Sequence, residues 1–182
     1  APNSPVGLAI SVLNNFNDTE PFLDMFHLSP LDGDGIKTPT IIQYALKDLM
    51  EINNNKETLY KYWTSPNKNS LTEKNYTQEV LNEYIKFSSD ILIVYFKAIK
   101  AHFLKYWTIT RKEESKLLSV TSMVGFLLGF KKSLEKYGEL KDFDFYKSKV
   151  SQLNIDFSKG KFPFVSSQWP KFVEIIEREV WT

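Results

Sequence analysis

Two aspartates alternate with two glycines in the stretch LDGDGIKTPT, and carboxylates at this spacing are used by calcium loops. A helix-loop-helix calcium site needs oxygen ligands at its first, third and fifth positions and a bidentate glutamate at its twelfth. If Gly35 is the loop glycine, these first and twelfth positions fall on Pro30 and Ile41, whose side chains cannot bind an ion. We therefore interpret Asp32 and Asp34 as part of a turn in which glycine adopts positive φ, and no metal site is predicted.

Signatures of catalysis are missing from the sequence. The two histidines, His27 and His102, have no metal-ligand partner at helical spacing. The absence of cysteine excludes thiol catalysis and thiolate metal sites, and no GxSxG, GxGxxG or GxxxxGK[ST] motif occurs. The acidic pair Glu113 and Glu114 lies among lysines and is expected to be solvated. We predict no catalytic residue and no cofactor, although an acid-base pair assembled only by folding stays open.

Basic residues alternate with aromatic residues in the stretch KAIKAHFLKYWTITRKEESK, residues 97–116. Lysines that contact phosphate and aromatic rings that stack on bases would produce this pattern. An ordinary amphipathic helix, with its aromatic side chains in the core and its lysines in solvent, would produce it as well. The first interpretation assigns nucleic-acid binding to Lys97, Lys100, Lys105, Arg111 and Lys112.

Composition narrows the class of protein. The 182 residues fit one domain, and a hydrophobic content of 42% is enough for a buried core. Lys and Arg total 23 against 22 for Asp and Glu, so the overall charge does not require an anionic partner, and the scarcity of arginine disfavours direct reading of bases.

The lack of cysteine favours a reducing, cytoplasmic compartment. The most apolar stretch, residues 117–130, is shorter than the roughly 20 residues that span a bilayer, so no membrane partner is predicted.

Apolar periodicity predicts a mainly α fold, a single helical domain over residues 1–182 with two long helices, several short ones and at most a minor β element. The first long helix covers residues 76–107, would be about 48 Å long, and must cross the domain or bend at Ser88 and Ser89. The second begins at residue 115 or 119 and ends at Gly138.

Glycines and capping residues predict the remaining elements. Gly125 and Gly129 are four residues apart, so both lie on one helix face where another helix can come close. Residues 20–30 are expected to form either an extended edge or irregular packing. The shorter helices are predicted over residues 5–16 after Ser4, over 38–52 with Thr38 as N-cap and Pro39 as first residue, around Tyr60, Tyr62 and Trp63, over 143–153, and over 167–180 with Ser167 as cap.

Three blocks of sequence follow one another along the chain. They are LAISVLNNFNDTEPFLDMFHLSPLDGDGIKTPTIIQYALKDLM, then IVYFKAIKAHFLKYW followed by KLLSVTSMVGFLLGF, and finally LNIDFSKGKFPF. Their order resembles that of the DGQHR-domain family, which includes the DndB-like proteins of DNA phosphorothioation systems. In that family a helix ending in Leu-Asn precedes an Asp-x-x-Pro-Phe segment, a glycine-bearing turn and a Ser/Thr-capped helix, and a Tyr-Phe helix precedes a glycine-containing apolar helix.

The Asp-Gly-Gln-His-Arg motif that names this family is not in the sequence. The stretch Asp32-Gly33-Asp34-Gly35 lacks its Gln, His and Arg, so no motif residue can be transferred. The resemblance then implies that the chain is the portion that follows the motif, the C-terminal part of a longer protein. It further implies a bacterial or archaeal cytoplasmic protein linked to DNA modification or phage defence, since DndB-like members are DNA-binding regulators.

Three functions follow as hypotheses. The first is a non-enzymatic helical module that contributes to DNA association or to assembly with a partner. The second is a helical protein-protein interaction domain without a nucleic-acid role, which the near-zero net charge and the scarcity of arginine favour. The third is half of an enzyme whose active site needs a missing N-terminal part, so the expected partners are DNA, that missing half or another protein.

Overall fold

A long central helix, α5 (Gln78–His102), is the element around which the others pack in the computed structural model, which describes residues 1–27, 35–109 and 115–182. The hydroxyl of Thr77 caps the helix by accepting a hydrogen bond from the N–H of Val80. Buried residues occur on more than one face of α5, and helices α1 (Pro5–Asn17) and α7 (Phe143–Val150) pack along it. The mainly α fold predicted from periodicity is confirmed.

The central helix is shorter than the sequence suggests. It has 25 residues and runs without a break through Ser88 and Ser89, which gives a length of about 37 Å at 1.5 Å per residue. At its end Phe103 leaves helical geometry, with φ −110° and ψ 37°. A separate 3₁₀-helix, Leu104–Tyr106, follows. The predicted helix over 76–107 is thus wrong at its C-terminal end, because Phe103 turns its ring into the core, where it lies 4.9 Å from that of Phe157.

The N-terminal region contains a helix and a small parallel ladder. Helix α1 (Pro5–Asn17) begins after Ser4, whose hydroxyl accepts from the N–H of Gly7, as predicted. Strand β1 (Phe26–His27) then pairs in parallel with β2 (Ile36–Lys37). The extended alternative for this segment is therefore confirmed for its two strand residues. The Asp32 and Asp34 turn lies outside the described residues.

A helix with an internal π-turn follows the ladder. It begins as α2 (Pro39–Ile41), continues through the π-helical turn Ile42–Leu46 and ends as α3 (Lys47–Met50). The start at Pro39 agrees with the prediction, but the Thr38 hydroxyl donates to the carbonyl of His27 at 3.0 Å and does not cap the helix. The reason is the ladder itself, which pairs His27 with Lys37 and so places the next residue, Thr38, beside the His27 carbonyl. Helix α4 (Leu59–Tyr62) comes next, with Tyr60 and Trp63 buried as expected.

The C-terminal half is a pair of closely packed helices with a short one between them. Helix α6 (Val120–Tyr137) is capped by Ser119 and ends at Gly138, which has φ 64°, as predicted. Helix α7 (Phe143–Val150) is capped by Asp142 and packs on α5. Helix α8 (Trp169–Glu179) begins two residues later than expected, because proline at 170 fits the first helical turn, and the predicted cap Ser167 lies outside it.

The two helix-face glycines are where α8 crosses α6. An added Cβ at Gly129 would lie 2.9 Å from Cγ2 of Ile176, and one at Gly125 would overlap the ring of Phe172. The close approach predicted from the four-residue spacing is thus confirmed, with α8 as the second helix. Among the helices of the described ranges, none is long and apolar enough to cross a membrane.

Gly125→Ala is expected to lower the free energy of unfolding by about 1–3 kcal/mol, because the new methyl group overlaps the buried Phe172 ring. Alanine is intrinsically the better helix former by about 1 kcal/mol, so the predicted sign opposes helix propensity. Urea denaturation followed by circular dichroism measures the change. The matched test is the double variant Gly125→Ala/Phe172→Leu, compared with Phe172→Leu alone. In the Phe172→Leu background, Gly125→Ala should lower the free energy of unfolding clearly less than it does in the wild type. An equal loss of free energy in both backgrounds would contradict the overlap.

Candidate nucleic-acid interface

Three of the five predicted nucleic-acid-binding residues lie at the C-terminal end of α5. Lys97 and Lys100 are on its last two turns, and Lys105 is on the 3₁₀-helix that follows. Arg111 and Lys112 lie outside the described residues. Lys97 and Lys100 line a shallow cleft of about 370 Å³, whose other lining residues are Glu20, Pro21, Ala101 and Leu104.

The aromatic residues of the same stretch point inward. Phe103 is buried, and the Trp107 ring lies 5.3 Å from that of Phe22. The indole N–H of Trp107 donates to the carbonyl of Pro21 at 3.1 Å. The Tyr106 hydroxyl is 3.3 Å from Oδ1 of Asp156. These rings are engaged in packing and hydrogen bonding, as the amphipathic-helix interpretation expects, and this leaves less of their faces for base stacking.

The lysines themselves make only loose contacts. Nζ of Lys100 is 3.8 Å from Oε2 of Glu20, and Nζ of Lys105 lies 4.8 Å from the centre of the Tyr106 ring. Nζ of Lys161 is 3.8 Å from Oδ2 of Asp156, the carboxylate that the Tyr106 hydroxyl contacts. We call Lys97, Lys100, Lys105 and Lys161 the basic surface. Ion pairs this long and this exposed contribute little to stability, which leaves the ammonium groups free to bind another anion.

Hydrogen bonds from Ser158 lower the pKa of Asp156, so this carboxylate beside the basic surface is charged at neutral pH. Together with Glu20 it offsets part of the positive charge. The position of Lys100 in the last turn of α5 also has a structural role, because a cation there stabilises the negative end of the helix dipole. Part of the charge pattern is therefore explained by folding alone.

A second group of ionisable side chains, Glu57, Lys61 and Tyr62, contains residue types that acid-base chemistry uses. Glu57 accepts hydrogen bonds from Lys61 and from the hydroxyl of Tyr62, which also lies 3.3 Å from the carbonyl of Leu134 on α6. Burial and the hydrogen bond to Glu57 raise the pKa of Tyr62 above its usual range. Burial also acts to raise the pKa of Glu57, but the hydrogen bonds from Lys61 and Tyr62 outweigh it and lower that pKa. The pKa values of Glu57 and Tyr62 both move further from neutral pH. The cluster is therefore suited to holding α4 against α6 and not to proton transfer.

Metal binding finds no support in the described ranges, which contain no group of three His, Asp or Glu side chains able to hold an ion. Asp32, Asp34 and the pair Glu113 and Glu114 lie outside them. His102 is exposed, and its ring packs edge-on against Phe103 at 4.5 Å.

Lys161 is the member of the basic surface that the sequence does not reveal. It lies 56 positions after Lys105 in a connector that carries no helical period. The packing of Phe103 on Phe157 and of Tyr106 beside Asp156 brings this connector to the C-terminal end of α5. No family model, curated protein or solved structure matches the chain.

Glu57→Gln is expected to remove an acid-sensitive contribution to stability. Since folding lowers the pKa of Glu57 from 4.5, the contribution is present above that value and is lost as the pH falls through the folded-state pKa. We expect the wild type to lose up to about 1 kcal/mol of unfolding free energy from this group between pH 6 and pH 3. Urea denaturation at the two pH values measures it.

The matched control for this measurement is Glu174→Gln, an exposed position on α8. It should keep the acid dependence of the wild type, whereas Glu57→Gln should flatten it. An unchanged acid dependence in Glu57→Gln would show that its bonds to Lys61 and Tyr62 do not contribute to stability.

Proposed function

We propose that this chain is a non-catalytic helical binding module whose basic surface contacts the phosphate backbone of DNA. The observation that carries the proposal is the position of Lys97, Lys100 and Lys105 at one exposed end of α5. There they are joined by Lys161, which the fold brings in from the C-terminal half. Lysine ammonium groups held only by loose ion pairs are suited to replacing counterions along a nucleic-acid backbone.

The chemistry of the basic surface favours contacts to phosphate over reading of sequence. All four of its members are lysines, which act as point charges, whereas bidentate contacts to guanine are made chiefly by arginine. Phe103 is buried, and the rings of Tyr106 and Trp107 are partly covered by their packing, which disfavours stacking on unpaired bases. Binding that depends on salt and is indifferent to base sequence follows from this arrangement.

The resemblance to DGQHR-domain proteins supports the proposal at the level of sequence. It suggests a place for the chain as the helical portion that follows the motif in a bacterial or archaeal cytoplasmic protein of DNA modification or phage defence. In such a protein the basic surface would add affinity for DNA, and any chemistry would belong to the part that bears the motif.

A protein-binding function without nucleic acid is the second candidate, and one observation favours it. Leu104 is 64% exposed and lines the same cleft as Lys97 and Lys100. An exposed apolar side chain with lysines beside it can dock a partner segment that carries both apolar and acidic residues. If the partner is the motif-bearing half, this second candidate also covers the hypothesis of an active site shared between the two parts.

Titration of fluorescently labelled duplex and single-stranded DNA with the chain, at about 50 mM and 200 mM salt, tests the proposal. We expect an affinity that falls steeply as the salt concentration rises and that is similar for DNA of random and of defined sequence. Replacing two backbone-contacting lysines, as in Lys97→Glu/Lys105→Glu, should reduce the slope of log affinity against log salt by about 2 for duplex DNA.

The charge-matched control is Lys56→Glu/Lys74→Glu, which changes two exposed lysines away from the basic surface. It should leave the slope close to that of the wild type. Equal effects of the two double variants would show that only net charge matters and would reject the basic surface. No binding at low salt would reject a DNA role and favour the protein-binding candidate.

A further inference from the structure

Leu104 has the most exposed large apolar side chain in the part of the chain that the structure describes, at 64%. It adjoins the basic surface, because it lines the cleft beside Lys97 and Lys100 and directly precedes Lys105. Isolated leucines occur on many protein surfaces without a function. Leu104 differs from these in the way its backbone is held and in the charge that surrounds it.

The 3₁₀-turn that carries Leu104 is fixed by its neighbours. Phe103 is buried and its ring lies 4.9 Å from that of Phe157, so the inward position next to Leu104 is already filled. The N–H of Tyr106 donates to the carbonyl of Phe103 at 2.9 Å. The N–H of Trp107 donates to the carbonyl of Leu104 at 3.1 Å. The turn therefore holds Leu104 in solvent at a fixed position and not on a loose loop.

The cleft beside Leu104 has an apolar part and a basic part. The apolar part is Pro21, Ala101 and Leu104, and the basic part is Lys97 and Lys100. Glu20 is the acidic lining residue, and it offsets part of this charge through its contact with Lys100 at 3.8 Å. Proteins of the DNA minor groove combine the same two features, since basic side chains contact the groove while an apolar side chain such as leucine enters between two base pairs.

The positive charge also extends beyond the cleft. Lys105 follows Leu104 in the chain, and Lys161 lies beside Asp156, the carboxylate that the Tyr106 hydroxyl contacts. A duplex carries phosphates on both sides of its minor groove, so it can meet lysines on more than one side of the leucine. A short acidic protein segment that fills only the cleft makes no use of Lys105 and Lys161, which do not line it. This difference favours duplex DNA as the occupant.

Insertion of a leucine requires two base pairs to separate. Stacked base pairs are about 3.4 Å apart, whereas two carbon atoms in contact are already about 3.5–4.0 Å apart. The cost of unstacking opposes binding, while removal of the exposed leucine from water and the larger contact with a bent duplex favour it. These contributions do not depend on a hydrogen bond to a particular base, in agreement with a basic surface made of lysines.

We propose that Leu104 inserts into the minor groove of duplex DNA, partly unstacks two neighbouring base pairs and bends the duplex, while the basic surface contacts the phosphates. Insertion of Leu104 rests on the proposed function, because the leucine reaches DNA only if the basic surface binds it. A duplex held by the lysines alone would stay straight, so the two roles have different consequences for the DNA.

Energy transfer between fluorescent dyes at the two ends of a short duplex measures the bend. A single mismatch at the centre of the duplex fixes its position, because a mismatched pair is the easiest to unstack. At low salt and saturating protein, the wild type should raise the transfer efficiency. It should also bind the mismatched duplex several-fold more tightly than the matched one.

Leu104→Ala should remove most of the rise in transfer efficiency and the preference for the mismatch, and it should lower the affinity for the mismatched duplex about fivefold. It removes no charge, so the slope of log affinity against log salt should remain that of the wild type. Leu104→Met keeps a long apolar side chain and should retain both effects. The matched control is Val165→Ala, a position that is 62% exposed and outside the basic surface, and it should behave like the wild type.

The proposal is overturned if the wild type binds DNA without bending it, or if Leu104→Ala bends the duplex as the wild type does. Salt-dependent binding in either case would leave the phosphate-contacting function in place. Equal losses in Leu104→Ala and Val165→Ala would also contradict a role specific to Leu104. No binding of DNA at low salt would reject both the insertion and the proposed function, and would leave Leu104 to the protein-binding candidate.

Discussion

Burial of α5 on more than one side is the constraint on which the rest of the structure depends. Most polar groups that a helix enclosed by apolar neighbours carries inward need a hydrogen-bond partner. The Tyr84 hydroxyl donates to the carbonyl of Met50 at 2.9 Å, and the Tyr95 hydroxyl donates to the carbonyl of Phe126 at the same distance. Met50 ends α3, so its carbonyl is one of those that a helix terminus leaves unpaired. The two tyrosines thus attach α3 and α6 to α5, and burial keeps the pKa of both above the usual range.

Local signals predicted the parts of the fold that local interactions determine. Ser4, Ser119 and Gly138 mark helix ends because their contacts lie within a few residues of them in the chain. The end of α5 was misjudged for the opposite reason, since the packing of Phe103 on the distant Phe157 decides it. The cap at Ser167 was misjudged although the deciding residue, proline at 170, is close in the chain. The π-turn at 42–46 had no recognised signal in the apolar pattern. The candidate site follows the same division: the lysines on α5 were found from spacing, whereas Lys161 needs elements distant in sequence to meet.

The basic surface is held by the most firmly anchored element of the fold. Lys97 and Lys100 lie on the last turns of α5. The middle of this helix is buried and tied down by Tyr84 and Tyr95, each through a hydrogen bond to the carbonyl of another helix. The spacing between these two lysines is therefore set by a rigid helix and not by a loop.

Trp181 fills the centre of the aromatic core, where it is 2% exposed and its indole N–H donates to the carbonyl of Gly129 at 2.8 Å. Its ring lies 6.2–6.3 Å from those of Tyr95, Tyr137 and Tyr146. The ribosome adds this side chain after every helix that it contacts. Until residue 181 has left the exit tunnel, the aromatic core lacks this ring, so its packing can be completed only afterwards.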